Sequence, residues 1–293
     1  MFVATLLTNP ATPTLDAATV EALRNAWGGG AARWLNPGIA AEFDLAQMPD
    51  NRWQVWEDLQ PRGLDLAVQP RDGRRKRMLL ADMDSTMIAQ ECIDELADEA
   101  GVGAYVAGIT ARAMNGELDF EDALRERVAL LKGLDASVIA HVLATRITYT
   151  PGGRELIATM KAHGGHAALV SGGFTAFTGH VAAALGFDEH RANTLHVADG
   201  ALTGTVAEPI LGRAAKVTAL DEITARLRIS AADVMAVGDG ANDLGMLGRA
   251  GAGVALHAKP SVAAQCDLRV NHGDLTALLY LQGYSVDEFS TAT

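Results

Sequence analysis

Apolar residues in the later part of the chain come in short runs bounded by polar turns, at 78–81 (MLLA), 166–170 (HAALV), 233–237 (DVMAV) and 252–256 (AGVAL). Runs of this length suit strands. Between them stand "GRELIATMKAHG", "FTAFTGHVAAALG" and "KVTALDEITARLRI", whose apolar residues recur three and four apart and predict helices. Thr150-Pro151 marks the start of the first helix, with Thr150 as cap and Pro151 at the first helical position. Such alternation predicts a mostly parallel sheet with helices on both faces. "NTLHVADGALTGTV" has alternating apolar residues around Asp199-Gly200 and reads as a β-hairpin. One stretch breaks the rhythm. Residues 91–149 are helical in pattern with no strand candidate, and they fall between the first and second strands of the sheet. They read as a helical insertion covering one end of it.

The first seventy residues follow another order: strand 2–7, helix 15–27, a strand from 32 to 35 and as far as 45, short helix 52–59, strand 64–68. This is a small α+β unit. Its order is loosely similar to the amino-acid-binding regulatory domain joined to many metabolic enzymes, one strand short and without a ligand-binding motif. "QPRDGRRKRM" (69–78) then supplies a Pro, an Asp-Gly turn and five basic residues, and reads as a solvated linker in preference to an interaction patch. The fold expected is α/β: a doubly wound, mostly parallel Rossmann-like core with an inserted helical cap and a small N-terminal α+β domain. The divisions fall at 1–74 for the accessory domain, 75–90 with 150–293 for the core, and 91–149 for the cap.

Composition narrows the partners. Hydrophobic residues make up 49% and charged residues 20% of 293, which suits an ordinary buried core. The balance of 24 basic against 36 acidic residues, a formal charge of -12, opposes nucleic acid and anionic membranes as partners. A small phosphorylated substrate remains compatible, because a local cluster of Lys, Arg and metal inverts the field. Cys92 and Cys266 stand far apart, outside metal-ligand spacing, and fit a reducing compartment. The start, "MFVATLLTNPATP", lacks a basic leader region, and no apolar run reaches membrane-span length. A soluble, cytoplasmic protein is expected.

Ligands of open α/β sheets bind beyond the carboxyl ends of the strands. Asp82 and Asp84 follow the strand at 78–81, Ser171-Gly172-Gly173 follow "HAALV", and Asp239, Asn242 and Asp243 lie in "GDGAND" after "DVMAV". Lys216 opens a further helix. Each has a plainer reading: "DMDST" as a helix cap, "SGG" as a loop, Lys216 as a surface lysine. The crowded carboxylates of "GDGAND" resist one, since they call for a cation. Taken together the set suits phosphoryl transfer through an aspartyl-phosphate. A carboxylate attacking a phosphate dianion needs a hard divalent cation, a lysine and neutral donors around the phosphoryl oxygens. Asp82 and Asp239 can supply ligands to Mg²⁺. Ser171, the backbone N–H groups of Gly172 and Gly173, and Lys216 can hold the phosphoryl oxygens. A second carboxylate two residues on serves as acid and base.

"DMDST", "SGG", the lysine and "GDGAND", in this order, resemble the four motifs of the haloacid-dehalogenase-like phosphatase superfamily. "DSTMIAQECIDELA" and "ITARAMNGELDFEDALRERVALLKGL" resemble the helical cap of its phosphoserine phosphatase family, and the likeness covers most of residues 77–285. The resemblance implies Mg²⁺-dependent hydrolysis of O-phospho-L-serine, the last step of serine biosynthesis. It makes Asp82 the nucleophile and Asp84 the general acid/base, whose backbone carbonyl also binds Mg²⁺. Asp239 is then a third ligand, and Asp243 supports the metal through its waters. Ser171, Gly172, Lys216 and Asn242 match phosphate-binding positions. Glu91 and Arg127 match the residues holding the substrate ammonium and carboxylate, and Met114 and Phe120 match apolar residues closing over it. The residues themselves say less here. Arg127 falls on an apolar stripe with Phe120, Leu124, Val128 and Leu131, either snorkelling or awaiting an anion. Glu91, Glu95 and Asp98 share a face that reads as solvated helix surface. His163 and His166 flank a Gly-Gly turn with no acidic partner nearby in sequence, and read as loop residues. Alternatives to phosphoserine are phosphothreonine, phosphohomoserine, transfer to another alcohol, or a serine-sensing module without catalysis. Homodimerisation through the N-terminal domain is the expected assembly.

Overall fold

The computed structural model describes residues 1–115 and 117–290, and of Met114 the backbone alone. The chain opens with β1 (Phe2–Thr8), α1 (Ala17–Ala26), β2 (Arg33–Asn36), β3 (Ala40–Leu45), α2 (Arg52–Leu59) and β4 (Leu64–Pro70). These strands form an antiparallel sheet in the order β2-β3-β1-β4 around Leu6, Phe43 and Leu66. The single strand expected between 32 and 45 is thus two strands. Gly38, at φ +77°, turns the chain between them and completes a βαββαβ unit, so no strand is missing.

The core sheet begins with β5 (Met78–Ala81), after which come four helices, α3 (Cys92–Glu99), α4 (Gly103–Met114), α5 (Phe120–Ala129) and α6 (Val138–Thr145). Next come α7 (Gly153–Ala162), β6 (His166–Phe174), α8 (Thr175–Leu185), β7 (Glu189–Asn193) and the hairpin β8 (Leu195–Ala198) and β9 (Ala201–Val206). The chain continues through α9 (Arg213–Leu227), β10 (Val234–Gly238), α10 (Leu244–Arg249), β11 (Ala252–Leu256), α11 (Pro260–Ala263), β12 (Leu268–Val270) and α12 (Ala277–Leu281). The six core strands are parallel, in the order β12-β11-β10-β5-β6-β7. Numbered within the core, that is the doubly wound order 3-2-1-4-5-6, whose switch point lies between β5 and β10. Alternate residues of β5 enter different cores, Leu79 and Ala81 on one face and Met78 and Leu80 on the other. All four are 0% exposed, as a strand covered on both faces requires.

Three further expectations are corrected. The helix after Thr150-Pro151 starts at Gly153, with Gly152 (φ +82°) as its cap. Residues 150 and 151 are occupied elsewhere: the Thr150 N–H donates to the Met87 carbonyl, and the Pro151 carbonyl accepts from Leu275 N–H. The basic segment after β4 is also more than a solvated linker. Arg74, 10% exposed, donates to both oxygens of Glu42 on β3, and Arg75 pairs with Glu288 and lies over the Tyr284 ring. His166, at the start of β6, does meet acids, Glu189 at 2.6 Å and Asp188 at 3.5 Å, brought beside it by β7.

Candidate active site

Parallel pairing of Ala81 with Val237 brings the ends of β5 and β10 side by side, and with them Asp82 and Asp239. Asp82 is 4% exposed. Its Oδ1 accepts from the Met83 N–H at 2.8 Å and from Lys216 Nζ at 2.7 Å. Lys216 is 0% exposed, reaching from the second turn of α9 to Asp243 Oδ1 at 2.6 Å as well. Burial opposes its charge, but Asp243 and Asp82 outweigh that and hold its pKa above the ordinary lysine value. Asp243 is fully committed, since its Oδ2 accepts from the N–H groups of Asp239 (3.1 Å) and Gly240 (3.0 Å). It fixes both the lysine and the turn carrying Asp239.

Asp82, Asp239 and Asp243 place carboxylate oxygens within 4.8 Å of one another, all buried. Burial first, then the charges of Asp243 and Asp82, pushes Asp239 up to about 8. Burial, then Asp243, likewise raises Asp82 well above the usual carboxylate range. Among the described residues, Asp239 Oδ2 and Asn242 Oδ1 are buried with no hydrogen-bond partner, the nearest cation to Asp239 Oδ2 being Lys259 Nζ at 3.8 Å. Crowded carboxylates and orphaned oxygens fit a hard divalent cation, which takes oxygen ligands.

The Asp84 carboxylate lies apart from that triad. Oδ1 accepts from Cys92 N–H (2.9 Å) and Oδ2 from the Ser171 hydroxyl (3.2 Å). Burial raises its pKa. Ser171 is held in turn by the Gly173 N–H, 2.8 Å from its Oγ. A Cβ on Gly173 would stand 2.6 Å from Asp84 Oδ2, so a larger residue would displace the Asp84 carboxylate.

A narrow pocket lies over these groups. Its lining includes Asp82, Asp84, Glu91, Phe120, Arg127 and Asn242, with the Ser171–Gly173 turn. Nine of the thirteen predicted site residues line this pocket. Lys216, Asp239 and Asp243 lie beneath the floor, and the Met114 side chain lies outside the described residues. Phe120 seals one side, its ring so close to Gly172 that a Cβ there would be 2.5 Å from Cζ. Glu91 is no solvated helix residue. It precedes α3 in extended backbone (φ -93°, ψ 111°), and the Ser85 hydroxyl donates to its Oε1 at 2.6 Å. Burial, then the charges of Asp84 and Asp239, pushes its pKa up to about 8. Arg127 is 2% exposed and donates to Ala123 C=O and Thr110 Oγ1, each at 3.0 Å; Thr110 in turn donates to Asp94 at 2.6 Å. Burial lowers its pKa, opposed by Glu91, Asp94 and Asp84. Sequence reasoning missed Ser85 and Thr110, whose hydroxyls aim the two charged groups. Nothing in their spacing marks them.

Residues 79–248 match the haloacid dehalogenase-like hydrolase family. A phosphoserine phosphatase of Streptomyces coelicolor is 45% identical over 260 residues, covering 87% of this chain and 63% of that protein. The chain thus spans somewhat under two thirds of that relative's length. A haloacid dehalogenase family hydrolase of Salmonella enterica serovar Typhi superposes with TM-score 0.84 at 31% identity, over 96% of this chain and 97% of that one. A phospho-aspartyl intermediate analogue of phosphoserine phosphatase superposes with TM-score 0.68 at 42% identity, over 70% of this chain and 98% of that one. The chain belongs to the haloacid dehalogenase-like hydrolases and, within them, to the phosphoserine phosphatase family.

Proposed function

We propose that this chain hydrolyses O-phospho-L-serine to L-serine and phosphate through an aspartyl-phosphate on Asp82. The observation carrying this is the pairing of Asp82 and Asp84 at the switch point, under a cavity that also presents an acid and a buried arginine. Asp82 Oδ1 is held by Lys216 and the Met83 N–H, so Oδ2 is the oxygen for attack on phosphorus. As the new O–P bond forms, the bond from phosphorus to the serine oxygen breaks, and Asp84 gives that oxygen a proton. Asp84 then takes a proton from water, which attacks phosphorus, frees Asp82 and leaves phosphate. Burial raises the Asp84 pKa, the direction an acid in this role needs. Ser171, Lys216, Asn242 and the Gly172–Gly173 backbone surround the phosphoryl oxygens. Glu91 takes the substrate ammonium and Arg127 its carboxylate.

The cation is Mg²⁺ in this reading, held by Asp82, Asp239 and the Asp84 carbonyl, with Asp243 behind. When bound, it polarises the phosphoryl group as a Lewis acid and screens the carboxylates. The residues 91–149 form the cap that confines the site to small phosphomonoesters. The protein works in the cytoplasm. No helix among the described residues is long and apolar enough to cross a membrane. Homodimerisation through the N-terminal domain belongs to the same proposal, supported by the outer edge of β2, which pairs with no described strand.

The test is phosphate release from L-phosphoserine, D-phosphoserine, phosphothreonine, phosphohomoserine and p-nitrophenyl phosphate, each with Mg²⁺ and with EDTA. Strong preference for L-phosphoserine, abolished by EDTA, is expected. Metal-dependent turnover without that preference would remove the substrate assignment, and no turnover would favour a serine-binding module.

A further inference from the structure

The ladder between β6 and β7 is interrupted. Val170 pairs with Arg191 and Phe174 with Asn193, and the register shifts between them where Ser171, Gly172 and Gly173 leave the regular pairing. A bulge of this kind leaves backbone groups without strand partners. Asn193 fills the gap with its side chain. It is 3% exposed, and its Nδ2 donates to the Gly172 carbonyl at 2.8 Å. The other edge of the same peptide unit, the Gly173 N–H, donates to Ser171 Oγ at 2.8 Å, and that hydroxyl donates to Asp84 Oδ2 at 3.2 Å.

Asn193 also grips a second loop. Its Oδ1 accepts from Leu211 N–H at 2.7 Å, and Nδ2 donates to Leu211 C=O at 3.2 Å. Leu211 immediately precedes Gly212, the cap of α9, whose carbonyl accepts from the Lys216 N–H at 3.3 Å. The cap ring of Phe120 rests on both loops. A Cβ on Gly212 would lie 3.3 Å from its Cδ1, as one on Gly172 would crowd its Cζ. One amide therefore ties together the loop that carries Ser171, the approach to Lys216, and the surface on which the cap closes.

We infer that Asn193 is a positioning residue for the phosphoryl site: it fixes the Gly172–Gly173 peptide, and through it the Ser171 hydroxyl, relative to the loop leading to Lys216. The inference rests on the phosphatase reading above. Hydrogen-bonded chains of this sort polarise one another, so an amide holding the carbonyl strengthens the N–H on the other edge of the peptide. Glu91 and Arg127 share no hydrogen bond with this chain. Its hydrogen bonds thus stop short of the amino-acid end of the site among the described residues.

The experiment compares N193A with the wild type for kcat and KM on O-phospho-L-serine and for inhibition by inorganic phosphate and by L-serine, with the melting temperature as a folding control. Expected are losses of at least about tenfold in kcat and in phosphate affinity, with L-serine inhibition changed by less than about twofold. S171A/N193A should lose clearly less kcat than the product of the two single losses, because the two residues act in part through the same hydroxyl. Equal weakening for phosphate and L-serine, or additive losses in the double variant, would overturn the inference. If N193A fails to fold, N193D, which keeps the bond from Leu211 N–H, carries the same comparison. Failure of both to fold would assign Asn193 to stability alone. An inactive wild type would overturn the phosphatase reading instead, and phosphate binding by calorimetry would still report on Asn193.

Discussion

A guanidinium removed from water costs several kcal/mol unless its donors are matched. Arg127 is matched at Nε and Nη1, while Nη2 donates to no described residue. A substrate carboxylate would complete it as a charge-assisted hydrogen bond worth about 1.5–3 kcal/mol. R127A should therefore raise KM for phosphoserine about tenfold to a hundredfold, leaving p-nitrophenyl phosphate, which has no such carboxylate, nearly unaffected. R127K should recover only part, lacking the planar fork. Steady-state kinetics on both substrates checks this, and equal losses on both would contradict it. The position of Arg127 could be half-read from its stripe of Leu124, Val128 and Leu131. Glu91 could not be read that way. It precedes α3, so the helical spacing linking it to Glu95 and Asp98 does not describe where its side chain goes. Asn193 carried no signal either, since an asparagine before a hairpin looks like any turn residue.

At the scale of elements, the interior strands were legible and the edges were not. β5, β6, β10 and β11 are near-continuous apolar runs because both faces are covered. β7 reads EHRAN and β12 is three residues long, and both lie at the edges of the sheet, where one side needs no apolar cover. The split of β2 from β3 falls at Asn36-Pro37-Gly38, a turn signal that the reading of one strand from 32 to 45 passes over. The late start of α7 depends on partners distant in sequence, Met87 and Leu275, which local capping rules do not see. The hairpin β8–β9 obeyed its Asp-Gly signal because the turn alone sets it. The motifs at the strand ends were readable for a related reason: the doubly wound order itself converts position after a strand into position in the site.

Across the whole molecule, the N-terminal sheet is bonded to the core by buried polar groups. Asp65 on β4 is 0% exposed and accepts from the N–H groups of Asn271, His272 and Gly273 beyond β12. Gln69 donates to Leu281 C=O, and Glu42 binds Arg74 of the connecting segment. Burial acts to raise the Glu42 pKa, but Arg74 and then Arg33 overcome it, so the carboxyl sits below its ordinary range. A depressed carboxylate contributes stability that is complete above the unfolded pKa and lost as pH falls through the folded one. E42Q should cost about 3 kcal/mol at pH 7 by leaving Arg74 unpaired, and its deficit against the wild type should shrink below about pH 4.3. Denaturant unfolding at both pH values checks this; a constant deficit would contradict it. The central claim remains the covalent step at Asp82. The most direct measurement is a rapid quench of the Mg²⁺-loaded protein with O-phospho-L-serine, followed by borohydride reduction and mass analysis of the peptide holding residues 78–91. Homoserine is expected at position 82, absent from D82N, which should also lack turnover. Turnover by D82N at the wild-type rate, or reduction at Asp84 instead, would contradict it.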